Sequence, residues 1–353
     1  MREPISLDDL VLPAQLTECG TISGACKEQP EDFRVDELVA FEPSGSGDYR
    51  LIQLEKRLMT TDDLVAHVAA TLDIDRRDVA VTGLKDKVAV TTQWLSVPAA
   101  IGTDRLEALD NDSVKLLDQR LHDERLKRGV SGGNRFDILL RGAESSEVER
   151  ARAIAKRITA SGVPNAYGAQ RFGHGGSTFE MGMQILSGDE HRALADVGRH
   201  RRSFMKRLAL NAVQSGLFNV WLRRRIEDGL WDEVVMGDVL EDHSMGVPIV
   251  AMDLKREADR LEKRVVTLTG PMFGIKMRTA SGMARTREKA ILSWANLGPE
   301  SFASFRKLMP GARRAARLFP QQLKITPDSE GIRLRFVLPP GAYATEVVRA
   351  FQG

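Results

Sequence analysis

With 353 residues, the chain exceeds what a single hydrophobic core usually serves, so its length predicts two domains. Hydrophobic residues make up 42% and charged residues 28%, which excludes a disordered, fibrous or membrane-embedded chain and indicates an ordinary globular protein. Because 51 Lys and Arg balance 49 Asp and Glu to a net charge of +2, no global field attracts a polyanion. Any nucleic-acid surface must therefore be a local patch.

The cysteines and the N-terminal segment indicate a protein of the cytoplasm. Cys19 and Cys26 are seven positions apart without a CxxC pair, so we expect reduced thiols and no disulfide framework. Residues 1–13 include acidic residues and prolines where a secretory signal needs an uninterrupted apolar run. No apolar stretch approaches the roughly 18 residues of a membrane span. We expect a cytoplasmic monomer without a membrane partner.

The first part of the chain mixes strands with helices. In order, the pattern predicts strands over 33–41 and 49–54, a helix with Thr61 as N-cap, strands over 79–82 and 88–92, a helix from about 104, a strand over 114–117, a turn at 132–133, a strand over 136–140 and a helix over about 146–159. Since strands dominate and helices pack beside them, we expect an α+β domain with a mainly antiparallel sheet.

Asp86 lies between Lys85 and Lys87 in the predicted turn of a hairpin, with Gly83 expected to provide the turn. Two ammonium groups favour the ionised form of a neighbouring carboxylate. An exposed anionic carboxylate suits a nucleophile or a base better than a proton donor. A solvated surface turn accounts for these residues equally well.

The middle region, about 163–308, predicts helices, Gly-rich loops and basic clusters. The clusters are Arg199, His200, Arg201, Arg202, Lys206 and Arg207; Arg223, Arg224 and Arg225; and Arg306, Lys307, Arg313, Arg314 and Arg317. One charge run is usually a solvated helix face, but three in a neutral chain favour a phosphate-binding surface.

The last part returns to a strand over 332–338 and a helix over 343–351, which cannot fold alone. We therefore predict a discontinuous catalytic domain, 1–160 with 315–353, interrupted by a largely helical α+β insertion, 161–314.

Other chemistry finds little support in the sequence. The six histidines show no HExxH pattern and no zinc-ligand spacing, so we assign no metal. There is no phosphate-binding GxxxxGK[ST] loop and no GxGxxG after a strand, so we expect no nucleotide cofactor. The stretch 172–177 has the glycines of an esterase oxyanion loop, but no GxSxG nucleophile motif accompanies it.

Five segments resemble the signature blocks of the TruD family of tRNA pseudouridine synthases. They are EDFRVDE at 31–37, GLKDKVAVTTQ at 83–93, GNRF at 133–136, VPNAYGAQRFG at 163–173 and LPPGAYAT at 338–345. They occur in the family's order and together extend over nearly the whole chain. The resemblance implies a pseudouridine-synthase sheet domain interrupted by a family-specific insertion.

The resemblance also implies roles for single residues. Asp86 corresponds to the catalytic aspartate, while Phe33 and Asn134 correspond to residues that line the pocket of the target base. Tyr343 stands where the family commonly has Phe, so this chain has a phenol that can donate a hydrogen bond. Structural alternatives stay open: Phe33 and Tyr343 as core residues, and Asn134 as an Asx turn.

The remaining predicted site residues bind substrate or the RNA backbone. Lys85 and Arg171 complete the substrate-binding set, although Arg171 and Gln170 also fit a structural pair. The RNA-backbone set is Arg199, Arg201, Arg202, Lys206 and Arg207.

The resemblance implies conversion of uridine 13 of certain tRNAs to pseudouridine without a cofactor. Asp86 would attack C1′ of the ribose or remove a proton from C2′. A non-catalytic RNA-binding or RNA-chaperone protein is the alternative.

Overall fold

A computed structural model describes residues 5–13 and 19–353; residues 1–4 and 14–18 lie outside the description. The helices are α1 Leu7–Leu10, α2 Thr61–Leu72, α3 Thr103–Glu107, α4 Val148–Ser161, α5 Ser177–Leu186, α6 Glu190–Ala193, α7 Arg202–Glu227, α8 Leu254–Glu262, α9 Gly282–Trp294 and α10 Ala344–Gln352. The strands are β1 Ala25–Cys26, β2 Phe33–Leu38, β3 Tyr49–Arg57, β4 Ala80–Val81, β5 Val90–Pro98, β6 Val114–His122, β7 Gly133–Arg141, β8 Val163–Pro164, β9 Val239–Asp242, β10 Val247–Val250, β11 Val266–Met272, β12 Ala312–Ala315, β13 Arg317–Leu318, β14 Gln321–Asp328 and β15 Gly331–Leu338.

The chain divides into two units. The sheet unit joins residues 19–160 to Phe319–Gly353, and the insertion unit joins residues 5–13 to Ser161–Leu318. The predicted boundaries differ, because they place the N-terminal segment in the catalytic domain and the second boundary after residue 314.

The N-terminal segment packs in the insertion unit for two reasons. Leu10 and Leu12 are buried in that unit's hydrophobic core. The side-chain amide of Asn219 in α7 donates a 2.8 Å hydrogen bond to the Leu10 carbonyl. The same buried amide donates to the carbonyl of Tyr167 and accepts from its N–H, so its hydrogen-bonding groups are satisfied.

The sheet unit is built on one large sheet with the strand order β14-β15-β7-β2-β5-β3-β6, in which β1 also pairs with β7 and β4 with β5. Among the described strands of this sheet, only β2 and β5 pair in parallel. The eight residues of β15 all pair with β7, so the C-terminal part completes the sheet. The predicted α+β fold with a mainly antiparallel sheet is confirmed.

Helix α2 packs against the part of this sheet that contains β3 and β5. Its buried Leu64, Val68 and Leu72 recur at helical spacing and pack in one cluster with strand residues that include Leu54 and Leu95. Burying each such side chain contributes about 1.5–3 kcal/mol.

The N-cap of α2 is Thr60 rather than the predicted Thr61. The Thr60 hydroxyl accepts from the Asp63 N–H while the Asp63 carboxylate accepts from the Thr60 N–H, which forms a capping box. With Thr60 as N-cap the acidic Asp63 falls at position N3, whereas with Thr61 that position is Leu64, so the sequence itself carries a signal for Thr60.

The insertion unit is organised around α7, whose residues 209–222 are buried except for the half-buried Asn211. Helix α5 packs along α7, and β11 of a four-stranded sheet, β10-β9-β11-β12, also contacts it. No helix in the described part of the chain is both long and apolar enough to cross a membrane.

Candidate active site

Asp86 lies in a wide loop, residues 82–89, rather than in the tight hairpin turn that the sequence predicts. Strand β4 pairs with Leu95 and Ser96 in the middle of β5, not with its first residues. Gly83 does not adopt a positive φ, and a Cβ there would meet only the Lys85 amine at 4.0 Å. The prediction that Gly83 provides the turn is therefore wrong, and hydrogen bonds shape the loop instead.

Hydrogen bonds hold loop 82–89 at its first residue, Thr82, and at Lys85 in its middle. The Lys85 N–H donates to the hydroxyl of Thr61, the first residue of α2, at 2.9 Å. The Gly129 N–H donates to the Thr82 carbonyl at 2.8 Å. The loop is thus fixed to the start of a helix and to a neighbouring segment before any substrate binds.

Glu37 anchors the same loop from inside the sheet unit. Its buried carboxylate accepts from the Lys85 ammonium at 2.6 Å, from the Trp94 N–H at 2.9 Å and from the Thr82 hydroxyl. Three donors offset the cost of burying the charge. The Lys85 side chain is only 8% exposed, so Lys85 points inward and fixes the loop rather than facing a substrate.

The Asp86 carboxylate points outward, with 56% of its side chain exposed. Its ion-pair partner is Lys27, whose ammonium lies 2.7 Å from Oδ2, whereas the sequence predicts Lys85 and Lys87 as the neighbouring cations. Lys27 has a φ of 67°, a left-handed conformation that is uncommon outside glycine and that clusters at functional sites. No sequence signal had marked Lys27.

Phe33 belongs to a row of aromatic rings on the sheet beside Asp86. Its ring meets Phe136 edge-on at 6.1 Å, and Phe136 stacks on Phe336 at 5.3 Å. The Lys27 ammonium lies 3.9 Å from the centre of the Phe33 ring, in cation–π contact. Phe33 and Asp86 therefore share one cation, and Phe33 is otherwise buried.

Asn134 lies in β7 between Glu37 of β2 and Leu338 of β15. The preceding Gly133 is required there, because it has a φ of 114° and a Cβ would stand 2.4 Å from the Leu338 carbonyl oxygen. The Asx-turn alternative is wrong, since Asn134 is a strand residue. Its Oδ1 is buried and has no hydrogen-bond partner among the described residues.

Strand register puts these groups on one face of the sheet. In β5, Thr91 lies opposite Val35 of β2 on one side and opposite Lys56 of β3 on the other, and the Lys56 ammonium donates to the Asp86 carbonyl. Glu37 of β2 lies opposite Asn134 of β7. Neighbours in register share a face, as do residues two apart along a strand. The face that carries Phe33, Glu37 and Asn134 is therefore also the face that supports the Asp86 loop.

Tyr343 occupies the N-cap position of α10, two positions after the Pro-Pro-Gly turn, and is 38% exposed. The described residues contain no group of three or more His, Cys, Asp or Glu side chains that could hold a metal ion.

In the insertion unit, Arg171 is a partly buried residue of a one-turn helix, Ala169–Phe172. Its Nε donates to the Ser215 hydroxyl of α7 at 3.1 Å, and its guanidinium lies 5.4 Å from the Tyr167 ring centre. Its hydrogen bond thus goes to α7, whereas the exposed Gln170 stands at the surface.

The three basic clusters differ in exposure. Arg199, Arg201, Arg202 and Arg207 are exposed, and the half-buried Lys206 pairs with Glu190 at 2.6 Å. We call these five residues the basic patch. The other two clusters contain several internal pairs: Arg225 with Asp238, Arg313 with Glu288, Arg314 with Asn165, and Arg317 with Asp232. Much of their charge therefore stabilises the unit itself.

Phe204 lies within the basic patch and is 61% exposed. It is not among the site residues that the sequence predicts. An aromatic residue two positions after a run of arginines was the available signal, since aromatic rings among basic side chains are typical of single-stranded RNA surfaces.

Known proteins resemble this chain over nearly its full length. The family profile described as tRNA pseudouridine synthase D (TruD) matches residues 12–203 and 199–351. A tRNA pseudouridine synthase D from an Anaeromyxobacter species is 38% identical, covering 96% of this chain and 95% of the relative. One from Thermus thermophilus is 37% identical, covering 93% and 88%.

A solved structure agrees in fold. A provisionally assigned tRNA pseudouridine synthase D from Methanosarcina mazei superimposes with a TM-score of 0.78 at 23% identity, covering 98% of this chain and 97% of the other. The family profile and the full-length relatives lead to one conclusion: this chain belongs to the TruD family of tRNA pseudouridine synthases.

Proposed function

We propose that the chain isomerises a uridine of tRNA to pseudouridine and that Asp86 is the reacting carboxylate. The observation behind this proposal is the contrast within loop 82–89, where an exposed carboxylate stands on a backbone that is hydrogen-bonded in place. Such a fixed anion can meet a sugar carbon without reorganisation, which is how electrostatic catalysis gains its effect.

The reaction is an isomerisation: the base keeps its composition, but its bond to the ribose moves from N1 to C5 and one proton is exchanged. The N1–C1′ bond breaks, uracil turns over, and a C5–C1′ bond forms; the C5 proton leaves and N1 gains a proton. Positive charge develops on the ribose as N1 leaves, so a nearby carboxylate lowers the barrier. Glycosidases need a second carboxylate to activate water, whereas here water must be kept out.

Asp86 has two routes through this reaction. In the first, its oxygen bonds to C1′ as N1 leaves, and C5 later displaces it. In the second, it takes the C2′ proton as N1 leaves, which gives a glycal, and returns that proton to C2′ as C5 bonds to C1′. Both routes use the same position of the carboxylate.

The target nucleotide leaves its stack and enters the face that carries Phe33 and Asn134. The Lys27 ammonium moves off the Phe33 ring, so that the base can stack there. The unpaired Asn134 Oδ1 accepts the N3–H of uracil, which supplies the partner that this buried atom lacks. Tyr343 adds a phenol whose hydroxyl can contact the same nucleotide.

The RNA backbone binds to the basic patch, where the exposed guanidinium groups can pair with phosphates. Arg171 supports this surface through its bond to α7. Position 13 of the tRNA is the target that the family resemblance implies.

Release of tritium from tRNA that carries [5-³H]uridine tests the proposal, because only formation of the C5–C1′ bond frees that label. We expect release from one uridine per tRNA, mapped to position 13. A protein that only binds or remodels RNA would bind the same tRNA without any release, and that result would overturn the proposal.

A further inference from the structure

A completely buried lysine lies beneath the Asp86 loop. Lys56 of β3 has 0% exposure, and its ammonium donates to the backbone carbonyl of Met59 at 2.5 Å and to that of Asp86 at 2.8 Å. Lysines are almost never fully buried without an ionic partner in contact, because losing the hydration of an ammonium is costly. Here both contacts are backbone carbonyls.

The two carbonyls belong to Met59 and Asp86, which are 27 positions apart in the sequence. Met59 immediately precedes the N-cap of α2, and Asp86 is the exposed carboxylate of the loop. Thr61, in the first turn of the same helix, accepts the Lys85 N–H. The start of α2 is thus joined to two consecutive loop residues, once directly and once through the Lys56 ammonium.

We propose that Lys56 is a positioning residue for pseudouridine formation, which fixes the Asp86 backbone to the start of α2 and thereby sets where the carboxylate meets the ribose. This inference rests on the proposed function of Asp86. Lys56 itself does not touch the substrate, because its amine is enclosed behind the loop. A displacement of about 1 Å of a reacting group can cost about a hundredfold in rate, so such a clamp has a measurable effect.

The charges that face Lys56 make its state depend on pH. Burial lowers the pKa of Lys56 from 10.5 to about 8, Asp86 and Asp63 oppose this shift, and Lys85 adds to it. Below that pH the ammonium forms charge-assisted hydrogen bonds; above it the neutral amine forms weaker ones and no longer attracts the carboxylate. The chemical step should therefore slow as the pH rises through about 8.

Stability should follow the opposite trend. The folded pKa lies below that of the unfolded chain, so between about 8 and 10.5 the unfolded state binds more protons. The Lys56 contribution to the free energy of unfolding therefore rises over that window.

The test compares Lys56→Met, which keeps the length of the side chain, with the control Lys115→Met, which changes an exposed lysine of the adjacent strand β6. Single-turnover release of tritium is measured at saturating tRNA between about pH 7 and about pH 9.5, with tRNA affinity and thermal denaturation alongside. For Lys56→Met we expect a rate about a hundredfold lower, tRNA affinity within about threefold, and no decline of the remaining rate above pH 8. Lys115→Met should behave as wild type.

A folded Lys56→Met with a rate within about threefold of wild type would overturn the inference, as would a wild-type rate that stays flat over the whole range from about pH 7 to about pH 9.5. The wild-type profile requires no variant, so it decides the matter even where Lys56→Met fails to fold. Hydrogen exchange of residues 82–89 in RNA-free protein separates the two proposals. Faster exchange in Lys56→Met than in Lys115→Met supports the clamp even if the wild type releases no tritium, which would reject only the proposed function.

Discussion

Loop 82–89 and the basic patch hold their charges in different ways. In the loop, Lys56 holds the Asp86 carbonyl. The adjacent Lys85 is hydrogen-bonded to Thr61 through its backbone N–H and to Glu37 through its ammonium, while the Asp86 carboxylate projects outward. In the patch, the arginine side chains are exposed and extend from a helix start. A reacting group has to meet one carbon atom, whereas phosphate binding depends on charge that can adapt to the path of the backbone. Changes in the loop should therefore alter the rate, and changes in the patch should alter affinity.

The largest expected effect is that of Asp86→Asn. The amide keeps the shape of the side chain but removes the anion, so tritium release should fall by at least about a thousandfold. Binding of tRNA should stay within a few-fold of wild type, because the loop backbone is unchanged. Asp112→Asn, at an exposed aspartate of the same unit, is the control. Residual turnover near the wild-type rate would remove Asp86 from the mechanism.

Asn134→Leu should slow the reaction without weakening the fold. The buried Oδ1 has no described partner, so its removal leaves no donor unpaired and the free energy of unfolding should stay equal or rise. If the atom accepts the N3–H of uracil, the rate should fall by about 10- to 30-fold. Thermal denaturation and single-turnover kinetics measure the two quantities. A parallel loss of stability and rate would identify Asn134 as structural.

The basic patch predicts a change in salt dependence. Replacing Arg199, Arg201 and Arg202 by Ala removes three exposed charges, so the slope of log affinity against log salt should flatten by about 2 to 3. At saturating tRNA the single-turnover rate should stay near that of wild type. Filter binding over a series of salt concentrations measures the slope. An unchanged slope would count against this patch as the RNA surface.

The sequence predicted most elements of the fold because their signals are local. The Thr-Asp-Asp start of α2, the alternation in β2 and β15, and the outward-facing Asp86 can all be read within a few residues. The N-terminal segment was misplaced because its burial depends on a packing partner about two hundred positions away, Asn219.

The supporting residues of the site could not be predicted in this way. Lys27 is 59 positions from Asp86, Glu37 is 48 from Lys85, and Lys56 is 30 from Asp86. Each appears in the sequence as one of many charged residues, and only strand register brings it to the loop. The same holds for Arg313, whose place in a basic run indicated RNA binding but whose side chain pairs internally with Glu288.

The smallest effect, and the sharpest test of the comparison, concerns Phe204. If its exposed ring stacks on an unpaired base, Phe204→Ala should weaken RNA binding by about five- to tenfold while leaving the salt slope unchanged, because stacking releases no counterions. Phe204→Trp should keep the affinity, and its fluorescence should change as RNA binds. A flatter slope for Phe204→Ala would mean that the ring only supports the neighbouring arginines. An unchanged affinity would leave the patch as a purely electrostatic surface, in contrast to loop 82–89, in which the side chains of Thr82, Lys85 and Asp86 each have a specific partner.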